Sequence, residues 1–408
     1  MKQAKLTSGR KFFRRKTIVT AFVVLVLVSI TALLASLLAN EKPLYVKYKD
    51  RNLFPALSLK GYADIGNERI VYATVDWQKL QKENVIWCPI IFSPGKSDAA
   101  NADYKSPLDS QVHDKGQRHL LGTTRTGADV LSGIIHGARV SLTIGIFSMV
   151  IAGFIGILLG AAAGFFGDYR IKVSRAGLIS TILFGLPLSW FYGIHLNTAF
   201  SVFGSIIFAL IVFPICICMT YFIGRFTAAL FGWNHKSFLH IDQFISRSIE
   251  IFNSIPRIVL IITLSAIARP SILSLLLIIG FTSWTEIARL VRAEMLKTRE
   301  SEFMQSAEAS GIKMSRQIFR HALPNILAPA LTAIMLGVAS AILIESSLSF
   351  LGVGVPADVV TWGSLLNEGR QNFNAWWLIA FPGIAIFLTV ASLNLLGDAL
   401  SEMLNKSN

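Results

Sequence analysis

Few residues in this sequence combine the types and spacing that do chemistry. Gly95-Lys96-Ser97 has the ending of a phosphate-binding loop, in which backbone amides cradle phosphates and the lysine reaches them. The first glycine of such a loop would fall at Ile90, so the match fails, and no complete G-x-x-x-x-G-K-[ST] occurs elsewhere in the chain. The seven histidines show no H-E-x-x-H or similar ligand spacing, and no nucleophile–base pair stands out. Three cysteines cannot build a disulfide framework. Cys216 and Cys218 lie inside an apolar run and Cys88 is alone in a polar region, which suits small apolar side chains and one free thiol better than a metal site. No catalytic residue, metal or cofactor is expected, and the chain does not read as an enzyme.

Some charged residues stand close to apolar runs. Arg257 follows Pro256 near the inner end of one; an intramembrane charge is a functional candidate by default, but near an interface a snorkelling side chain fits better. Glu345 and Arg370 fall toward the outer face, where either could line a substrate mouth or simply be solvated. The most distinctive stretch is "SAEASGIKMSRQIFRHALPN", residues 306–325, between two apolar runs. From Thr285 to Pro324 the chain holds seven Lys/Arg and five Glu, about twice the charge density of the whole. Thr298 to Ser310 reads as a helix with Glu300 and Glu302 early and Gly311 at its stop. Phe303, Met304 and Ala307 form one apolar stripe, and Ser315 is placed to cap a second short helix, "RQIFRHA". Leu323-Pro324 marks the step into the next apolar helix, because proline is tolerated in a first turn.

The elements around these residues are those of an all-α integral membrane protein. The 408 residues are 53% hydrophobic and 15% charged, with mean hydropathy +0.57, whereas soluble domains carry roughly a quarter charged residues. Apolar runs span Ile18–Ala39, Val140–Phe166, Ala176–Ile194, Ala199–Gly224, Ile251–Ile267, Ser271–Trp284, Ile326–Ile344 and Trp376–Leu396, for about eight crossings. Strand-sized alternation is absent from them, which argues against a β-barrel. The net charge of +14 is crowded at the N-terminus, in Lys2, Lys5, Arg10, Lys11, Arg14, Arg15 and Lys16, as expected of a cytoplasmic end rather than a nucleic-acid site. With that end inside, residues 1–17 form a basic cytoplasmic N-terminus and 18–39 a retained first transmembrane helix. Residues 40–137 form a small folded extracytoplasmic insert, with β-like pieces "RIVYATVDW" and "VIWCPIIF". The segments 167–175, 225–250, 285–324 and the C-terminus then all fall in the cytoplasm, with most of the remaining basic residues of the short loops. Gly156, Gly160 and Gly164 recur at four-residue spacing, which lets helix backbones approach closely.

With these residues in place, the charged segment resembles the EAA loop of ABC-importer permeases. Two small residues, Ser306-Ala307, are followed by Gly311 and then by Leu323-Pro324, while Glu302 and Phe303 stand where that pattern begins its helix. "HLLGTTRTGADVLSGIIHGARVSL" (His119 to Leu142), "ESSLSFLGVGV" (Glu345 to Val355), "WGSLLNEGR" (Trp362 to Arg370) and "NLLGDAL" (Asn394 to Leu400) resemble the peptide (Dpp/Opp-type) subgroup. "ANEKPLYVKY" and "LFPAL" resemble Yej-type members. The resemblance covers residues 119–167 and 241–402, and more weakly 39–57. Thr124 and Ala128 depart from it, where Asp and Arg are common, and so does an insertion over 168–240 that adds two apolar runs.

The resemblance implies a type I ABC-importer transmembrane fold over 138–402, with six core helices plus an inserted hydrophobic hairpin. It also implies that 285–324 carries a cytoplasmic coupling loop that docks on an ATPase subunit through or near Glu302, Phe303, Ser306, Ala307, Glu308 and Gly311. The expected partners are a second homologous permease subunit, two ABC ATPase subunits, an extracytoplasmic solute-binding protein and the lipid bilayer, in the cytoplasmic membrane of a bacterium. The expected solutes are peptides or peptide-like molecules, with a nickel complex as an alternative cargo. An ion-coupled secondary transporter is the reading from another class; it would need intramembrane carboxylates or histidines, which the runs almost lack.

Overall fold

The computed structural model describes residues 16–48, 51–58, 62–65, 68–72, 85–112, 118–170, 172–185, 187–189, 191, 202–230 and 236–405. The basic cluster from Lys2 to Arg15, most of "RIVYATVDW" and the tip of the inserted hairpin lie outside them. The main helices are α1 (Lys16–Leu33), α2 (Val130–Phe166), α3 (Val202–Leu230), α4 (Ile241–Ser254), α5 (Arg257–Ile267), α6 (Ile272–Arg299), α7 (Glu302–Ala309), α8 (Leu323–Phe350), α9 (Trp362–Gln371) and α10 (Trp377–Asn405). Among the described residues, five helices are long and apolar enough to cross a bilayer: α1, α2, α6, α10 and the one that ends as α8. The arms of the inserted hairpin contain shorter apolar stretches, Arg175–Ser189 and Ile215–Ala229.

One expected span is corrected. Ile251–Ile267 is not a single helix: the chain bends by 78° between α4 and α5. Pro256 is the cause, because it has no N–H to donate and its ring blocks the preceding turn. The residues up to Ser254 belong to amphipathic α4, where Ile245 and Ile249 are buried and Asp242 sits in the first turn. Only 11 residues remain in α5, about 17 Å of helix and roughly half a bilayer core.

The chain forms two compact units, Met1–Gly160 with Glu250–Asn408, and Ala161–Ile249. In the first, small residues set the helix packing. A Cβ on Gly156 would lie 2.8 Å from Ile287 Cβ, and one on Gly160 would lie 2.9 Å from Val291 Cβ, so α2 runs parallel to α6 at backbone contact. Gly145 meets Ile342 and Gly153 meets Ile334, so α8 runs antiparallel to α2. Ile18 and Ala21 of α1 pack on Leu396 and Ala399 of α10. At the opposite end His136 Nε2 lies 2.9 Å from Ala39 O, and Trp377 Nε1 donates to Thr123 O at 3.0 Å. These pairings gather Lys16, Arg299, Leu323 and Asn405 at one end of the bundle, and Ala39, Val130, Ile272, Phe350 and Trp377 at the other.

The described residues between Asn40 and Asp129 share that second end. β1 (Tyr45–Tyr48) pairs antiparallel with both β2 (Arg51–Leu53) and β5 (Val85–Ile86), while β3 (Tyr62–Ile65) and β4 (Glu68–Val71) form a hairpin. Cys88 is buried, and burial pushes its thiol up to about 11, which makes it an unreactive packing residue. Lys96 is ion-paired with Glu41, so the Gly-Lys-Ser triplet forms part of a loop contact.

In the second unit the hairpin arms pack through small residues. Gly177 lies against Tyr221 and Gly185 against Thr220, and Ser180 Oγ donates to Thr220 O at 2.7 Å. β6 (Lys172–Ser174) pairs antiparallel with β7 (Lys236–Phe238) and closes the hairpin at its base. Ile182, Leu183 and Phe184 on one arm and Phe222 and Phe226 on the other remain exposed, as surfaces that meet lipid do.

Candidate functional site

The charged segment opens where α6 stops. The expected helix over Thr298–Ser310 is corrected: α6 continues to Arg299, and Ser301 adopts an extended backbone before α7 begins at Glu302. Ser301 Oγ turns back to donate to Thr298 O, which satisfies a terminal carbonyl of α6. Glu302 then supplies the acidic first turn of α7.

The apolar stripe expected of α7 divides. Met304 and Ala307 are buried, 3% and 8% exposed, whereas Phe303 is 46% exposed. The face that α7 turns toward the end of α6 and the following turn is narrow, and Phe303 falls past its edge. Glu302, Ser306 and Glu308 face outward with Phe303. Ser306 Oγ donates to Glu302 O and Ser310 Oγ to Ser306 O, both at 2.8 Å, so these hydroxyls fold onto the helix and leave a low-profile surface.

Gly311 ends α7 at φ +69°, with its N–H donating to Glu308 O at 3.0 Å and that of Ile312 to Ala307 O at 3.1 Å. This paired closure is the Schellman arrangement and needs a left-handed residue at this position. Nothing lies within 4 Å of where a Gly311 Cβ would be, so backbone conformation demands the glycine, not crowding. Ser315 is not a cap. The next helix starts at Met314, with Lys313 at its N-cap and no side-chain bond. It passes through a wider π turn, Gln317–Ala322, directly into α8, with Pro324 in the first turn of α8. Pro324 has no N–H for the ordinary ladder, and just before it Leu323 N–H reaches back to Ile318 O. Gln317, 5% exposed, donates Nε2 to Ile312 O at 2.8 Å and pins the connection. The sequence reading missed this residue, which stands among Lys313, Arg316, Arg320 and His321 with no local signal of its burial.

The remaining candidates lie elsewhere. Gly156 and Gly160 belong to the α2–α6 contact, and Gly164 lies a turn further along α2. Glu345 has no exposed surface and accepts hydrogen bonds from Ser141 at 2.7 Å and Ser349 at 2.8 Å. Arg370 is exposed at the end of α9, donates to Asn367 Oδ1 at 3.1 Å and lies 5.0 Å from the Phe350 ring centroid. Arg257 sits at the Pro256 bend, donating to Ser283 Oγ and lying 3.4 Å from Glu286 Oε1. The described residues contain no group of His, Cys, Asp and Glu able to hold a metal ion.

A bundle of bilayer-length helices packed through glycines, with a charged helix–glycine–helix segment at one end, defines a membrane-integral protein of the polytopic α-helical class. The sequence profile of the "Binding-protein-dependent transport system inner membrane component" family matches residues 223–408. The dipeptide transport system permease protein DppC of Alkalihalophilus pseudofirmus is 29% identical over 316 residues, 77% of this chain and 80% of its own. The inner membrane ABC transporter permease protein YejE of Escherichia coli is 28% identical over 368 residues, 89% of this chain and 84% of its own. A Brucella suis protein named as a peptide transport system permease is 30% identical over 291 residues, 71% of this chain and 74% of its own. This chain belongs to the family of binding-protein-dependent transport system inner membrane components, with the type I ABC-importer permease fold.

Proposed function

We propose that this chain is one permease subunit of an ATP-driven importer that carries peptides or peptide-like solutes across the cytoplasmic membrane. The observation that carries this reading is the segment from Ser301 to Ala322. Its α7 turns a face carrying Glu302, Phe303, Ser306 and Glu308 away from the rest of the chain and is held at both ends, by the Ser301 break and the Gly311 turn. Such a helix can take a push from a neighbouring subunit and pass it to α6 and α8, which it joins. The chain has no phosphate-binding loop, so ATP hydrolysis belongs to two separate ATPase subunits; a second, related permease and an extracytoplasmic binding protein complete the assembly. Arg292, Lys297, Arg299, Lys313, Arg316 and Arg320 crowd the end shared by Lys16 and Asn405, which favours placing that end, and both termini, in the cytoplasm. The peptide cargo rests on the names of the relatives. An ion-coupled mechanism finds little support, because Glu345 is enclosed by hydroxyl donors rather than open to a relay.

The test is uptake of a radiolabelled tripeptide by vesicles holding the complete complex and its binding protein. Uptake that needs ATP and survives an uncoupler agrees with the proposal. Uptake that persists after ATP depletion and collapses with an uncoupler overturns it.

A further inference from the structure

Arg257 does not lie at the end of the bundle. Its partners Ser283 and Glu286 begin about 17 Å along α6 from Ile272, and Arg299 is a further 24 Å or so beyond Ser283. A guanidinium set among packed helices with one donor unmet is costly unless something uses it.

A cleft of about 360 Å³ opens beside it, lined among others by Asn253, Arg257, Thr285, Glu286 and Arg289. Its inventory is two cations and one anion. Thr285 Oγ1 donates to Asn253 Oδ1 at 3.2 Å, which leaves the Asn253 amide nitrogen as a donor. Arg257 Nε is buried and has no hydrogen-bond partner. Arg289 is exposed and bonds to no described residue. Glu286 is 72% exposed at the rim, so Arg257 is held by a partner that can swing away. An ion pair kept only for stability explains neither the second arginine nor the orphaned Nε, since a buried unmet donor is itself destabilising.

We propose that this cleft is a binding site for a carboxylate group of the transported solute, such as the C-terminal carboxylate of a peptide. The proposal rests on the permease reading above. A planar carboxylate accepts two parallel bonds from a guanidinium, and here it would meet the Arg257 edge, Arg289 and the Asn253 amide together. Glu286 then releases Arg257 to the incoming carboxylate.

Phenylglyoxal, which modifies accessible guanidiniums, tests this in the complete complex held in phosphatidylcholine nanodiscs, with adducts at Arg257 and Arg289 mapped by mass spectrometry. Trialanine at four times its dissociation constant is expected to slow modification of both arginines about fivefold, while trialanine amide leaves the rates unchanged. Arg257→Gln removes the protection read at Arg289, and Arg257→Lys keeps part of it; co-purification with the ATPase subunits reports that both variants assemble. Protection by glutarate but not trialanine upholds a carboxylate site and overturns the peptide reading. Protection by phosphatidylglycerol alone assigns the cleft to a lipid headgroup and overturns the proposal. Equal protection by trialanine and its amide, or protection by no probe, also overturns it.

Discussion

Ser141 on α2 donates its hydroxyl to Glu345 on α8 at 2.7 Å, where neither side chain has exposed surface. Ser349 donates to the other carboxylate oxygen at 2.8 Å. The contact ties the beginning of α2 to the end of α8, across 204 residues of sequence. Removing the carboxylate leaves buried hydroxyls without acceptors, each at a cost of about 1–3 kcal/mol. Glu345→Ala is therefore expected to lower the midpoint of thermal unfolding in detergent well below wild type, and Glu345→Gln, which keeps an acceptor, to lower it less. Equal midpoints for the two variants would remove the hydrogen bonds from this explanation.

The glycines divide into two kinds with different expected outcomes. Gly160→Leu places side-chain atoms where Ala288 O and Val291 Cβ already lie, and should separate α2 from α6 and reduce the yield of folded protein severely. Gly311→Ala meets open space and costs only about 1 kcal/mol of left-handed backbone strain. Its folded yield should match wild type while the coupling of ATP hydrolysis to uptake weakens. Size-exclusion profiles and the ratio of uptake to hydrolysis separate the two cases.

His119 provides a pH prediction at the other end of the molecule. Its ring is buried against Phe92, with Nδ1 2.9 Å from Asp129 Oδ1 and Nε2 3.3 Å from Asp98 Oδ2. Burial pulls its pKa down, but the bonds and charges of Asp129 and Asp98 outweigh burial and raise it above the ordinary 6.5. A raised folded value contributes stability that is complete below 6.5 and is lost as pH climbs from there through the raised folded pKa. Burial acts the other way on Asp98 and raises its pKa, but bonds from Asn101, His119 and Ala100 N–H hold it below its ordinary 3.8, so its contribution is lost only as the medium becomes strongly acidic. Amide exchange over residues 118–129, corrected for the intrinsic rate, should quicken between pH 6 and pH 8.5, and His119→Asn should flatten that dependence. A wild-type profile already flat across this range would contradict the assignment.

Much of the backbone course from Ser301 to Pro324 was legible because Gly311 and Pro324 change what the backbone can do, and such changes leave a mark at one position. Pro256 was equally visible, yet a count of apolar residues across Ile251–Ile267 is blind to a missing N–H, so the 78° bend went unread. Phe303 looked inward because spacing defines a stripe but not how wide a face the neighbours cover. The Arg257–Glu286 pair joins residues 29 apart and Ser141–Glu345 joins residues 204 apart, and neither leaves a local signature. Asp129 was visible only as part of a longer resemblance; its role in accepting from Ser132 N–H at 2.7 Å while facing His119 needs the fold.

Cysteine scanning from Glu302 to Gly311, with crosslinking to the ATPase subunits in membranes, bears most directly on where ATP's work reaches this chain. Ala307, at the centre of the sequence motif, is 8% exposed and turned inward, whereas Ser306 is exposed. Capture of the ATPase from Ser306→Cys and its outward neighbours Phe303 and Glu308, with weak capture from Ala307→Cys and Met304→Cys, is the predicted pattern. Capture from none of these positions, in a complex that still hydrolyses ATP and transports, would contradict the coupling role of α7.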